Sequence, residues 1–228
     1  MSSFATFALV VATVTLCVGL QHLATYLLHD RSSGRQPHLA FAAACLCMAG
    51  YGLLNVGQLE TTAPRPWLVG QMVFLPLVTV ALLWFVSSLT GRRIPGQGWL
   101  QLLLLACALV GLFDPGALVW SRGAPQPISI TLPGLGTHAV YELAPGPVVY
   151  VAAVAGLAGL VGMLALGLKH ARSAHRVHGY SLAVGFGLLL LATTNDALAP
   201  SSLVAGIDVR HGRAPVPLFW QLKAQTAP

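Results

Sequence analysis

From Pro147 to Leu168 the chain runs for 22 residues without a charged side chain. A stretch that long and that apolar belongs either to the core of a large globule or to the hydrocarbon of a bilayer. Composition decides between the two. Only 8% of the 228 residues are charged and 56% are hydrophobic, with a mean hydropathy of +0.75. A soluble domain carries about 25% charged residues. There is too little polar surface here to coat a globule in water, so lipid is the solvent for most of the chain.

A helix needs about 20 apolar residues to cross the hydrocarbon core. Six segments meet that length, at roughly 4–28, 39–59, 67–90, 94–113, 147–168 and 179–198. Pro95 and two glycines precede Trp99 at the start of the fourth. The first segment has no basic n-region and is longer than a signal-peptide core, so it reads as a retained span. The expected fold is an all-α integral membrane protein. Residues 1–198 form a bundle of six transmembrane helices, and residues 199–228 form a polar, proline-containing tail. The tail holds Asp208, Arg210, His211, Arg213 and Lys223 and has no apolar run of spanning length.

The links set the orientation. Arg31 and Arg35, then Arg92 and Arg93, then Lys169, Arg172 and Arg176 occupy links one, three and five, whereas links two and four hold only Arg65 and Arg122. Seven basic residues against two place the odd links in the cytoplasm and the N-terminus outside. Arg210, Arg213 and Lys223 then fall on the outer side, against the trend. In the fourth link, "PISITLPGLGTHAVYEL" alternates on both sides of a Gly/Pro turn, which predicts a short extracytoplasmic β-hairpin. Trp67 and Trp120 suit an interfacial aromatic belt.

Several chemistries are excluded or unsupported. The net charge is +6, but the basic residues lie in short links between apolar runs, so topology explains them and no nucleic-acid partner is expected. Cys17, Cys45, Cys47 and Cys107 all sit in apolar runs. Cys45 and Cys47 point about 200° apart on a helix, which leaves no zinc site or disulfide framework. His170, His175 and His178 have no standard zinc spacing and read as part of a basic turn facing anionic lipid. No metal and no cofactor are expected. There is no GxSxG, P-loop or HExxH motif. Ala155 and Gly159, four apart in span five, permit close helix approach.

Polar groups inside the spans need a partner or a task. Gln21 and His22 lie in the last third of span one, and His22 is a candidate proton or ion site. Asn55 and Gln58 share one face near the outer end of span two. Gln71 lies one turn into span three, ahead of Pro76. Asn195 and Asp196 close span six in "LLATTNDALAP". A carboxylate at a helix C-terminus opposes the helix dipole unless something pairs with it. Asn55, Gln58, Gln71, Asn195 and Asp196 fall at one membrane level, where they are expected to form a polar ligand pocket under the hairpin.

Five stretches carry a resemblance to a known family. They are "GLQHLATYLLHDRSSGRQPHLAFAAACLCMAGYGL", "NVGQLETTAP", "LLWFVSSLTGRR", "GLFDPGALVW" with the hairpin after it, and "LLATTNDALAP". Over about residues 15–205 the chain resembles the seven-span membrane sensor regions at the N-termini of bacterial histidine kinases and diguanylate cyclases. That resemblance implies a sensory role in the inner membrane. It also implies a seventh span and an output domain, whereas this chain is expected to have six spans and no output domain of its own. The expected function is a non-enzymatic, membrane-embedded sensory or ligand-binding module in bacterial signal transduction, with no catalytic residues. Its expected partners are the lipid bilayer, an unknown small ligand, and a kinase or cyclase or a second copy of the chain. The alternatives are a small transporter or channel component, or an integral-membrane enzyme using His22 as base. The scarcity of charge within the spans weighs against an ion-coupled transporter.

Overall fold

The computed structural model describes residues 2–28, 35–113, 118–132, 136–172 and 179–191. Asn195, Asp196 and the 199–228 tail lie outside the described residues, as does the end of the sixth segment. The helices are α1 (Ser3–Leu28), α2 (Gln36–Leu59), α3 (Arg65–Thr90), α4 (Gln97–Phe113), α5 (Pro147–Ala171) and α6 (Gly179–Leu191). Pro37, Pro66 and Pro147 stand in the first turns of α2, α3 and α5, where a missing N–H costs nothing.

Four helices, α1, α2, α3 and α5, are long and apolar enough to cross a membrane. Helix α4 starts three residues later than the sequence predicts. Pro95 is followed by Gly96 at φ 74°, and this turn holds off the helix until Gln97. The 17 residues of α4 span about 26 Å, a little under the ~30 Å hydrocarbon core. Phe7, Val14, Leu102, Leu109, Phe113, Val154 and Val161 stand exposed on the outer surface, which suits lipid and not water.

By its contacts the chain divides after Leu166. In the first unit α1 packs on α2, α2 on α3, and α3 on α4. Small residues allow the approach: Ala5, Ala12, Ala40, Ala42, Ala44 and Ala49 are all buried. Without a hydrophobic force between helices in lipid, such close contact is what holds them. Gly159 of α5 shows the same logic, since a Cβ there would come within 3.2 Å of Thr79 Cγ2. In the second unit α6 follows the end of α5 tightly, with Gly179 backed onto the Ala171 backbone and Gly167 close to Ala183.

Between α4 and α5, β1 (Gln126–Leu132) and β2 (Gly136–Glu142) pair antiparallel, from Gln126 opposite Glu142 to Leu132 opposite Gly136. Residues 133–135 lie outside the described residues. The pairing continues below the strands through Ser121 N–H to Ala144 C=O at 2.9 Å and Gly146 N–H to Val119 C=O at 2.7 Å. Beneath it Val119 packs with Met72, Cys107 and Ala152.

Pro76 and Gly111 explain how α3 and α4 meet. A proline inside α3 removes the N–H that would bond the Met72 carbonyl four residues earlier. Gly111 of α4 lies against that carbonyl, and an added Cβ would stand 3.2 Å from its oxygen. The obstacle is backbone, so it cannot swing aside. Gly111→Val is expected to cost about 1–3 kcal/mol by overpacking. Unfolding of the purified protein in mixed detergent checks this, and unchanged stability would mean that the two helices separate freely.

Candidate functional site

Three of the polar residues singled out in the sequence meet at one end of the first unit. Asn55 and Gln58 stand one turn apart near the end of α2, and Gln71 stands near the start of α3. The short 60–64 link turns the chain back, so the two helix ends are neighbours. Gln71 Nε2 donates to Gln58 Oε1 at 2.7 Å, and both side chains are buried. Gln58 Nε2 reaches on toward the Tyr141 carbonyl at 3.5 Å, which ties α2 to β2 through a long contact. Gln58, Gln71 and Gln97 are the buried polar side chains among the described residues. Two of the three are therefore spent on each other here.

A cavity of about 600 Å³ opens beside this pair, along the seam between α1 and α2. Asn55, Gln58 and Gln71 all line it. The rest of the wall is chiefly apolar, with Phe7, Val11 and Met48 among it. This differs from the polar pocket that the sequence predicts. The physical reason is that Gln71 Nε2 is taken up by Gln58 Oε1, while α1 contributes almost only hydrocarbon. Asn195 and Asp196, the other two predicted members, lie outside the described residues.

Three lining or flanking residues, Trp120, Glu60 and Arg65, have contacts that the sequence does not show. Trp120 lines the cavity, and its indole N–H is buried without a hydrogen-bond partner among the described residues. The sequence assigns Trp120 to an interfacial belt, where its N–H would be wet; the strand pairing below the hairpin turns it inward instead. Glu60 accepts hydrogen bonds from Ser2 N–H at 2.6 Å and Ser2 Oγ at 2.8 Å, fastening the start of α1 to the end of α2. Arg65 Nη1 donates to the Ser121 carbonyl at 3.1 Å, anchoring the loop that carries Trp120. A rare acid and a rare arginine in one short link are the available signals, but neither shows its partner.

His22 lies at the other end of α1, against the start of α2. Asn55 and His38 are 17 positions apart on α2, about 26 Å along the axis. His22 Nδ1 is 3.0 Å from His38 Nδ1. One ring must donate and the other accept, so at least one imidazole is neutral in this pair. His22 also meets the Phe41 ring edge-on at 4.6 Å, and Phe41 meets Phe85 at 5.1 Å. No group of three metal-ligating side chains occurs among the described residues, and two imidazoles fall short of a zinc site. Nearby, Arg35 lies over the Tyr26 ring and its Nε donates to the Tyr26 carbonyl, satisfying a carbonyl in the last turn of α1. A double-mutant cycle of His22→Leu and His38→Leu is expected to give a coupling of about 0.6 kcal/mol, and at most roughly 1.7, as for other hydrogen bonds between membrane helices. Coupling indistinguishable from zero would mean that the pair does not fasten α1 to α2.

Comparison with known proteins finds no matching family model, no similar curated protein and no solved structure of similar fold.

Proposed function

We propose that the chain is a non-enzymatic sensory module of a bacterial inner membrane. It binds a small ligand in the α1–α2 cavity and passes a helix rearrangement to a kinase, a cyclase or a second copy of itself. In this reading all six apolar segments cross the membrane. The N-terminus and the β1–β2 hairpin lie outside, and links one, three and five lie in the cytoplasm.

The observation that carries the reading is the cavity itself. About 600 Å³ is within the usual range for small-ligand sites, roughly 300–1,000 Å³. Its wall draws on α1, α2, α3, Trp120 and Leu143, so an occupant touches several elements at once. A ligand that fits one helix arrangement better than another shifts the balance between them. At the far end of the same helices, the His22–His38 contact is a joint that such a shift would disturb. Among the described residues no charged side chain lines the cavity, which weighs against an ion-coupled transporter.

Spin labels at Leu28 and Thr90, at the far ends of α1 and α3, test the idea in lipid nanodiscs. Extracts of the cell envelope, aqueous and organic, are expected to change the distance distribution between the labels. No change with either extract, together with solute flux into proteoliposomes, would replace the sensor by a transporter. Orientation is tested separately in a background without native cysteines. An impermeant thiol reagent added outside should label Gly123→Cys and miss Arg92→Cys, both positions being exposed. The reverse pattern would invert the topology.

A further inference from the structure

We propose that a cleft between α3 and α4 binds the phosphate group of an anionic phospholipid. The cleft lies at the far end of α3 from the α1–α2 cavity, and the inference is independent of the ligand reading of that cavity.

The cleft encloses about 190 Å³ and is lined by Trp84, Ser87, Arg93, Gln97, Gly98 and Gln101. Its depth suits a head group. Helix α3 has 26 residues and is about 39 Å long, against a hydrocarbon core of ~30 Å. Its last turns therefore reach the head groups, a level that Trp84 and the exposed Trp99 also suit. The charge of the cleft selects an anion. Among the described residues Arg93 is the one charged side chain in the lining, and it is exposed. The acidic residues among the described ones, Glu60 and Glu142, follow α2 and end β2, at the other end of α3. The neutral lining groups choose no sign. Gln97 is committed to Leu83, Ser87 and Ile94, and the Gln101 amide can donate or accept. Arg93 decides, because the guanidinium fork matches the oxygens of a phosphate. Gly98 is the second residue of α4. The first N–H groups of a helix lack partners within it and favour negative charge. An added Cβ at Gly98 would meet nothing within 4 Å, so the approach is open. Leu102, Leu105 and Leu109 continue along the same face of α4 at helical spacing and are exposed. They offer acyl chains a hydrocarbon track leading away from the cleft, which a soluble phosphate would not use. A basic pocket between membrane helices, opening onto such a track, fits a lipid phosphate.

The test uses the full chain, stripped of lipid in nonionic detergent, and reads lipid adducts by native mass spectrometry. Phosphatidylglycerol should bind saturably and about tenfold more tightly than diacylglycerol of the same chains, the factor that one charge-assisted hydrogen bond gives. Phosphatidylcholine, whose own ammonium offsets the phosphate charge, should fall between the two. Arg93→Gln should bring phosphatidylglycerol close to the diacylglycerol level, and Arg93→Lys should keep more of the preference than Arg93→Gln. Arg92→Gln removes the same charge one residue away, outside the lining, and should leave the preference unchanged. Both arginines are exposed, and normal unfolding of each variant confirms that the fold is kept. Equal losses in Arg92→Gln and Arg93→Gln would mean diffuse surface charge and overturn the proposal. Adducts that never saturate would overturn it too, as would phosphatidylcholine binding as tightly as phosphatidylglycerol. Equilibrium dialysis separates the two sources of phosphate. Radiolabelled inorganic phosphate at millimolar concentration should not bind the lipid-free protein. Saturable binding of that ion, lost in Arg93→Gln, would overturn the lipid as the occupant.

Discussion

Gln97→Leu is expected to destabilise the protein by about 2–3 kcal/mol. Gln97 is buried at the start of α4. Its Nε2 donates to the Leu83 carbonyl and to Ser87 Oγ, each at 3.2 Å, and its Oε1 accepts from the Ile94 N–H at 3.2 Å. One side chain thus joins α3, the turn and α4. Each such bond contributes a net 0.5–1.5 kcal/mol or so, and bonds between membrane helices fall near the lower end, about 0.6 on average. Three of them, with the Ile94 N–H left unpaired in the turn, give the range stated. Gln101 is the internal control. It makes a single long contact, Nε2 to the Val80 carbonyl at 3.4 Å, and Gln101→Leu should cost less than about 0.6 kcal/mol. Equal effects of the two substitutions would show that the turn holds without Gln97.

The second large effect belongs to the Gln58–Gln71 pair, and its sign changes with the number of substitutions. Gln71→Leu leaves the Gln58 carbonyl oxygen buried without its donor, at a cost of about 1–3 kcal/mol. Gln58→Leu strands the Gln71 amide in the same way. Replacing both by leucine removes both orphans, so the double variant should lie closer to the wild type than the sum of the single variants. The contact from Gln58 to Tyr141 is lost as well, but at 3.5 Å it is weak. Strictly additive single effects would mean that the two glutamines do not act together.

The helices themselves are legible in the sequence because the bilayer imposes length and apolarity on each segment locally. Residues 4–28, 39–59 and 67–90 lie within α1, α2 and α3, and 147–168 lies within α5. The apolar run misplaces the start of α4 because a positive φ at Gly96 outweighs it. The spacing of three between Asn55 and Gln58 puts them on one face by helical geometry alone. That Gln71 joins them follows only from the turn between α2 and α3.

What the sequence does not decide is which polar groups find each other. Spacing fixes the face of a helix a residue occupies, but not which neighbour that face meets. His22 stands out as an odd residue in an apolar span, while its partner His38 reads as the edge of a basic link. Trp120 looks like a residue for the interface, and only its pairing with Pro145, below the hairpin, turns its N–H inward. Glu60 looks like a solvated helix end, and only the return of α1 beside it supplies Ser2 as donor. Apolarity and helical period act within one segment and are written in it. Hydrogen bonds between segments depend on how the helices are ordered around each other, and that order exists only in the packed molecule.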